Sequence, residues 1–163
     1  MSVRGTIFPW RGGNRFELLL DGPMFFPRML AAIDAAQRQV ELELYLVEDG
    51  QCSEQLVEAL CRAAARGVSV RGLFDAYGAA ALGAASRQRL LAAGVQLRWY
   101  NPIRWRRGVR NFHRDHRKLL LVDRHLAYVG VEHTHAGAFG GNPYRHLPTD
   151  ASTRAGYNYR FAF

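Results

Sequence analysis

Residues 40–78 read VELELYLVEDGQCSEQLVEALCRAAARGVSVRGLFDAYG, and the spacing of their apolar side chains changes twice. Val40, Leu42, Leu44 and Leu46 alternate with Glu41, Glu43, Tyr45 and Val47, the period of a strand with one apolar face. Ser53 with Glu54 then predicts a helix start, and Gly67 sits where a helix-ending glycine belongs. VSVRGLFDAYG, residues 68–78, returns to strand character and ends in a turn. A strand, a helix and a second strand in succession predict a parallel crossover unit.

Outward from this unit the alternation continues. RFELLLDG (15–22) predicts a short strand closed by Asp-Gly, and PRMLAAIDAAQRQ (27–39) a helix with Met29, Leu30, Ile33 and Ala36 at helical spacing. SRQRLLAAG (86–94) predicts a further helix, and VQLRWYNP (95–102) a strand. HRKLLLVD and HLAYVG are two strands joined tightly through Asp123-Arg124. The fold class is therefore α/β, a mixed central sheet flanked by helices.

The 163-residue chain is 48% hydrophobic, enough for one globular core. A formal charge of +8 points to an anionic partner: a membrane surface, a nucleic acid or a phosphorylated substrate. No run approaches the roughly 20 apolar residues of a spanning helix. The opening MSVRGTIFPWRGGNRFE lacks the apolar core of a signal peptide, which predicts a cytoplasmic location. Cys52 and Cys61 are read as reduced, structural thiols, with no metal-ligand spacing around them.

Lys118 is the only lysine among 22 basic residues. It stands two residues after His116, so on a regular strand both side chains leave the same face. An imidazole can attack phosphorus and form a phosphohistidine, while an ammonium stabilises charge on the non-bridging oxygens. Lysine supplies a compact charge on a flexible stem, unlike the planar fork of arginine. A chance placement of His, Lys and Asp on one strand is the competing explanation of these residues.

The pattern His116-x-Lys118-x4-Asp123-x6-Gly130 resembles the signature of the phospholipase D superfamily. ELELYLVEDG, LCRAAARGVSVRGLFDAYGA, AAGVQLRWYNP and HRKLLLVDRHLAYVG together resemble the first half of a bacterial cardiolipin synthase. The resemblance implies one lobe of a phospholipase D-type fold over residues 15–130, with 1–14 as an N-terminal extension. It implies a phosphatidyltransferase acting on phosphatidylglycerol, peripheral to the inner membrane and without a metal or other cofactor. His116 would be the catalytic histidine, Lys118 the phosphate ligand, and Glu43 an acid that orients the histidine. Asp123 belongs to the motif, yet its odd spacing from His116 leaves direct chemistry and a turn role both open. Asp75 ends an apolar strand where α/β sheets hold ligands, and also fits a turn cap before Gly78. His113 is read as structural or at the rim of the site.

RWRRGVRNFHRDHRK gathers Arg104, Arg106, Arg107, Arg110, Arg114, Arg117 and Lys118 around Trp105 and Phe112. Such a stretch suits anionic headgroups, at about 1 kcal/mol per basic residue near the surface, or a nucleic-acid backbone. Arg110, Arg114 and Arg117 are the expected substrate-binding residues.

Beyond Gly130 the chain departs from the family. Val131, Glu132 and His133 stand where a further glycine and an asparagine are usual. Residues 131–163 contain one leucine, one valine and no isoleucine, with only Tyr157, Tyr159, Phe161 and Phe163 alternating. This predicts a divergent, poorly packed tail and a gene truncated or frameshifted after codon 130. Phospholipase D-type enzymes combine two lobes and two histidines, whereas this sequence has one His-x-Lys pair. The complement would be a missing second lobe or a homodimer partner. The alternatives are a homodimeric single-motif phosphodiesterase or nuclease, and an inactive remnant that binds anionic lipid or nucleic acid.

Overall fold

The computed structural model describes residues 12–131 and 160–162. In chain order come β1 (Leu18–Leu19), α1 (Gly22–Ala35), β2 (Gln39–Leu44), α2 (Gln51–Ala65), β3 (Ser69–Asp75), α3 (Ala84–Ala92) and β4 (Gln96–Tyr100). A kinked 3₁₀ stretch, Trp105–Phe112, leads to β5 (Lys118–Val122) and β6 (Leu126–Val131), followed by β7 (Arg160–Ala162). Apart from β7, β6's last residue and residues 12–14, the expectations for the two terminal segments lie outside the described residues.

The strands form one mixed sheet in the order β1-β7-β6-β5-β2-β3-β4. β2 runs parallel to β3, and β3 to β4, as the crossover reading requires. β5 returns antiparallel beside β2, and β6 antiparallel beside β5. Leu42 is consequently flanked by Gly72 and Leu120 at the centre of the sheet. α1, α2 and α3 pack against β5, β3 and β4 respectively, and α2 touches both other helices. Val40, Leu42, Val70, Phe74, Leu120 and Val122 are buried with Ile33, Leu60 and Leu90 of the helices. Their alternate neighbours Glu41, Glu43, Leu73, Leu119 and Leu121 are only half-buried, so the sheet has one sealed face.

Several element boundaries differ from the sequence reading, each for a local reason. α1 starts at Gly22, not at Pro27, because the Asp21 carboxylate accepts the Met24 N–H at 3.2 Å and a proline occupies the first turn. Pro27 lies inside the helix at the cost of one main-chain hydrogen bond. α2 is capped at Gly50, and the Ser53 hydroxyl donates back to the Gly50 carbonyl at 2.9 Å. β2 stops at Leu44, so Val47 enters the core while Leu46 is half-buried. The expected glycine stops hold: Gly67 and Gly94, with φ of 86° and 87°, adopt the left-handed conformation that ends α2 and α3.

β5 begins at Lys118, so His116 precedes the strand that was expected to carry both residues. The turn from β5 to β6 is left-handed at Asp123 and Arg124, with φ of 51° and 64°, and the His125 N–H donates to the Val122 carbonyl at 3.1 Å. Aspartate tolerates that conformation better than most residues with a side chain.

Candidate active site

The parallel strands β2 and β3 end on the side where antiparallel β5 begins, with Leu44 opposite Lys118. Open α/β sheets hold ligands at this edge, where chain ends converge from several elements. Tyr45 follows β2 directly. Its phenol ring lies under the His116 imidazole, with centroids 4.0 Å apart and planes 19° from parallel. The Lys118 ammonium stands 5.9 Å from the centre of the same ring and donates to the His116 carbonyl at 3.2 Å. His116 is exposed and Lys118 half-buried. The two residues therefore meet around Tyr45, although only Lys118 belongs to the strand.

The segment 114–117 is held by charges beneath it. Asp75, at the end of β3 and fully buried, accepts from Tyr77 N–H (2.9 Å) and Gly78 N–H (3.0 Å) on one oxygen, and from Asp115 N–H (3.1 Å) on the other. Arg114 donates to Asp75 at 3.4 Å and to the Asn101 carbonyl at 3.1 Å. Burial acts to raise the Asp75 pKa, but the amides of Gly78, Asp115 and Tyr77 and the Arg114 charge outweigh it, and the carboxyl is held below its usual range. Asp75 is thus the turn cap its position before Gly78 suggested, and also a tether for the histidine segment.

Arg114, expected to bind substrate, is buried in this ion pair and its guanidinium is committed to the tether. Arg117 is largely exposed; its main-chain and side-chain N–H groups reach Asp115 at 3.2 and 2.9 Å. The hydrogen bond to Asp115 and then the Glu43 charge raise the Arg117 pKa. The Glu43 carboxylate lies 3.2 Å from the Arg117 guanidinium, close enough for charge attraction but poorly aligned as a hydrogen bond. Glu43 thus reaches the segment through Arg117, the neighbour of the histidine it was expected to orient. Arg110 belongs to the 3₁₀ stretch, and its side chain lies outside the described set. His113 is exposed, and its carbonyl accepts from Asn101 Nδ2 at 2.9 Å.

Asp123 is at the far end of β5 from His116. Its carboxylate accepts the N–H groups of Gln37, Arg38 and Gln39, each at 2.8 Å, and so clamps the start of β2 to the β5–β6 turn. Those amides, Gln39 first, hold its pKa at about 2. The structure gives Asp123 a structural position, remote from the imidazole and ammonium with which the motif groups it. Among the described residues no three His, Cys, Asp or Glu side chains converge as ligands for a metal ion.

Tyr45 and Asp115 escaped the sequence reading. Tyr45 lies two residues past Glu43 on the polar side of β2's pattern, a faint signal for an aromatic facing a site. Asp115 is the one acid in the basic run RNFHRDHRK, and that contrast is its signal.

The architecture is that of the phospholipase D family. The family member Nuc from Salmonella typhimurium superposes with a TM-score of 0.56 over 91% of this chain and 82% of its own, at 20% identity. A family model described as "Cardiolipin synthase, PLD-like domain" matches residues 29–138, and the chain belongs to that family. It is 38% identical over 123 residues to cardiolipin synthase B of Salmonella typhi, a match covering 74% of this chain and 30% of that protein. Cardiolipin synthase A of Pseudomonas putida (strain W619) is 33% identical over 137 residues, covering 83% of this chain and 29% of that protein. The chain spans about three-tenths of the length of the curated relatives it matches. Among the described residues no helix is long and apolar enough to cross a membrane.

Proposed function

We propose that this chain supplies one half-site of a phosphatidyltransferase of the cardiolipin synthase type, acting on phosphatidylglycerol. The observation that carries the reading is the exposed imidazole of His116 stacked on Tyr45, with the Lys118 ammonium at the same ring. Stacking limits rotation of the imidazole and leaves its edge, where the ring nitrogens lie, open to a phosphodiester. A ring nitrogen of His116 attacks phosphorus, the bond from phosphorus to the headgroup glycerol oxygen breaks, and a phosphatidyl-histidine forms. Lys118 stabilises charge on the non-bridging oxygens through the transfer.

The departing glycerol oxygen must take a proton. A general acid contributes typically 10²–10⁴-fold, and in this reading a second histidine of the same kind provides it. The hydroxyl of a second phosphatidylglycerol then attacks phosphorus as it returns a proton to that second histidine, the phosphorus–nitrogen bond breaks, and cardiolipin leaves. Two phosphatidylglycerol molecules yield one cardiolipin and one glycerol, so the step balances without an external reagent. Asp75, Asp115 and Arg114 act as positioning residues that hold the segment bearing His116.

The test is to incubate the full chain with phosphatidylglycerol vesicles and measure cardiolipin and free glycerol by mass spectrometry. Any cardiolipin formed should vanish with His116→Ala. Lys118→Arg should cost roughly 10²–10³-fold, as expected for a misplaced charge at the transition state. Activity undiminished in either variant would overturn the assignment. Cleavage of a bis-aryl phosphodiester or an oligonucleotide, with no lipid product, would favour a phosphodiesterase or nuclease instead.

A further inference from the structure

The connection from β4 to β5 is closed on itself at its base. Asn101, left-handed at φ 42°, donates from Nδ2 to the His113 carbonyl, and its own carbonyl accepts from Arg114. Within the loop, Arg104 N–H donates to the Asn111 side-chain oxygen at 3.1 Å, and Asn111 Nδ2 donates back to the Arg104 carbonyl at 2.9 Å. What this frame presents is apolar: Ile103 is 61% exposed, Trp105 100%, Val109 78% and Phe112 82%. Four large apolar side chains, each more than half exposed and all within ten residues of one braced loop, mark a contact surface. The same loop carries Arg104, Arg106, Arg107 and Arg110 and no acidic residue between Asn101 and His113.

We propose that residues 101–113 form a wedge that inserts Ile103, Trp105, Val109 and Phe112 into the interface of an anionic bilayer. The positive charge of this stretch of sequence complements the headgroup phosphates, and apolar residues interleaved with basic ones are the composition that binds such an interface. Nucleic acid fits less well, since Ile103 and Val109 offer no ring to stack against bases, whereas acyl chains accept aliphatic and aromatic side chains alike. The wedge ends at Arg114, and through it the Asp75 tether fixes its position relative to His116. Insertion would therefore set the imidazole at headgroup depth. The inference rests on the transferase reading for its choice of lipid, yet its test involves no turnover.

The full chain is mixed with vesicles of phosphatidylglycerol, or of phosphatidylcholine, bearing brominated acyl chains. Of the three tryptophans, Trp105 should be the one quenched, and only in the anionic vesicles; Trp105→Phe should lose that quenching. Trp105→Ser/Phe112→Ser should weaken vesicle binding at least about tenfold through lost apolar burial, with the far-UV circular dichroism unchanged. High salt should weaken the wild type through its arginines but leave bound protein quenched. Three results would overturn the proposal: an unquenched Trp105 in bound protein, equal vesicle binding by the double variant, or Trp105 quenched by a single-stranded oligonucleotide while vesicles are ignored. Binding as expected, but with no phosphatidyl adduct on His116 from an activated phosphatidyl ester, would support the wedge and count against the transferase reading alone.

Discussion

Asp123 illustrates how a motif residue can serve the fold instead of the chemistry. Its two oxygens receive three main-chain N–H groups leading into β2, and its backbone takes a left-handed turn. Such a carboxylate couples stability to pH. Its folded pKa of about 2 lies below the ordinary 3.8, so its contribution is full above the ordinary value and is lost as pH falls toward 2. Asp123→Asn keeps the turn but replaces one acceptor oxygen with a donor. The stability gap between wild type and Asp123→Asn, from urea denaturation, should be constant near neutrality and close between about pH 4 and pH 2. A gap independent of pH across that window would contradict the clamp. The sequence indicated the odd spacing of Asp123 from His116, but not the amides it meets, because those lie more than eighty positions away in the chain. Lys118, by contrast, was conspicuous as the one lysine, and Tyr45 was not, since an aromatic near a strand end usually signals packing.

At the level of elements, alternation of apolar residues located β2, short apolar runs located β3 and β5, and glycine stops located the ends of α2 and α3. These signals are local and physical, so they survived folding. Segment 114–117 was not legible in the same way. Its last two residues, His116 and Arg117, read as the start of the strand HRKLLLVD, yet β5 begins only at Lys118, and Asp75 draws the Asp115 amide and the Arg114 guanidinium to the end of β3. That tether is expected to govern both stability and the pose of His116. Asp75→Asn would set an amide donor against N–H donors and leave the buried Arg114 charge uncompensated. The expected loss is about 3–5 kcal/mol in urea denaturation, the range for breaking one side of a buried pair. In any active preparation kcat should fall more than KM rises, because the segment positions a reacting group and not a headgroup contact. Full stability in Asp75→Asn would remove the tether from the account.

The described residues form a single sheet with three helices on one face and the candidate site at one edge, an architecture shared with the phospholipase D family. Family and fold class were legible because several segments matched in order; the second histidine is where the one-motif sequence leaves the mechanism incomplete. In the proposed transfer, substrate activation can distinguish two roles. Attack on phosphorus needs His116 and Lys118, while loss of glycerol also needs a proton. A phosphatidyl ester of p-nitrophenol dispenses with the second requirement, since nitrophenolate departs unprotonated. The most direct measurement is to mix the full chain, confirmed monomeric, with this ester and with phosphatidylglycerol, and to map acid-labile phosphatidyl adducts by mass spectrometry. The expected result is an adduct on His116 with the activated ester, none in His116→Ala, and with phosphatidylglycerol a rate lower by roughly 10²–10⁴ until a second histidine-bearing lobe is supplied. An adduct on another residue, or turnover of the activated ester by His116→Ala at the wild-type rate, would contradict the assignment of His116 as the nucleophile.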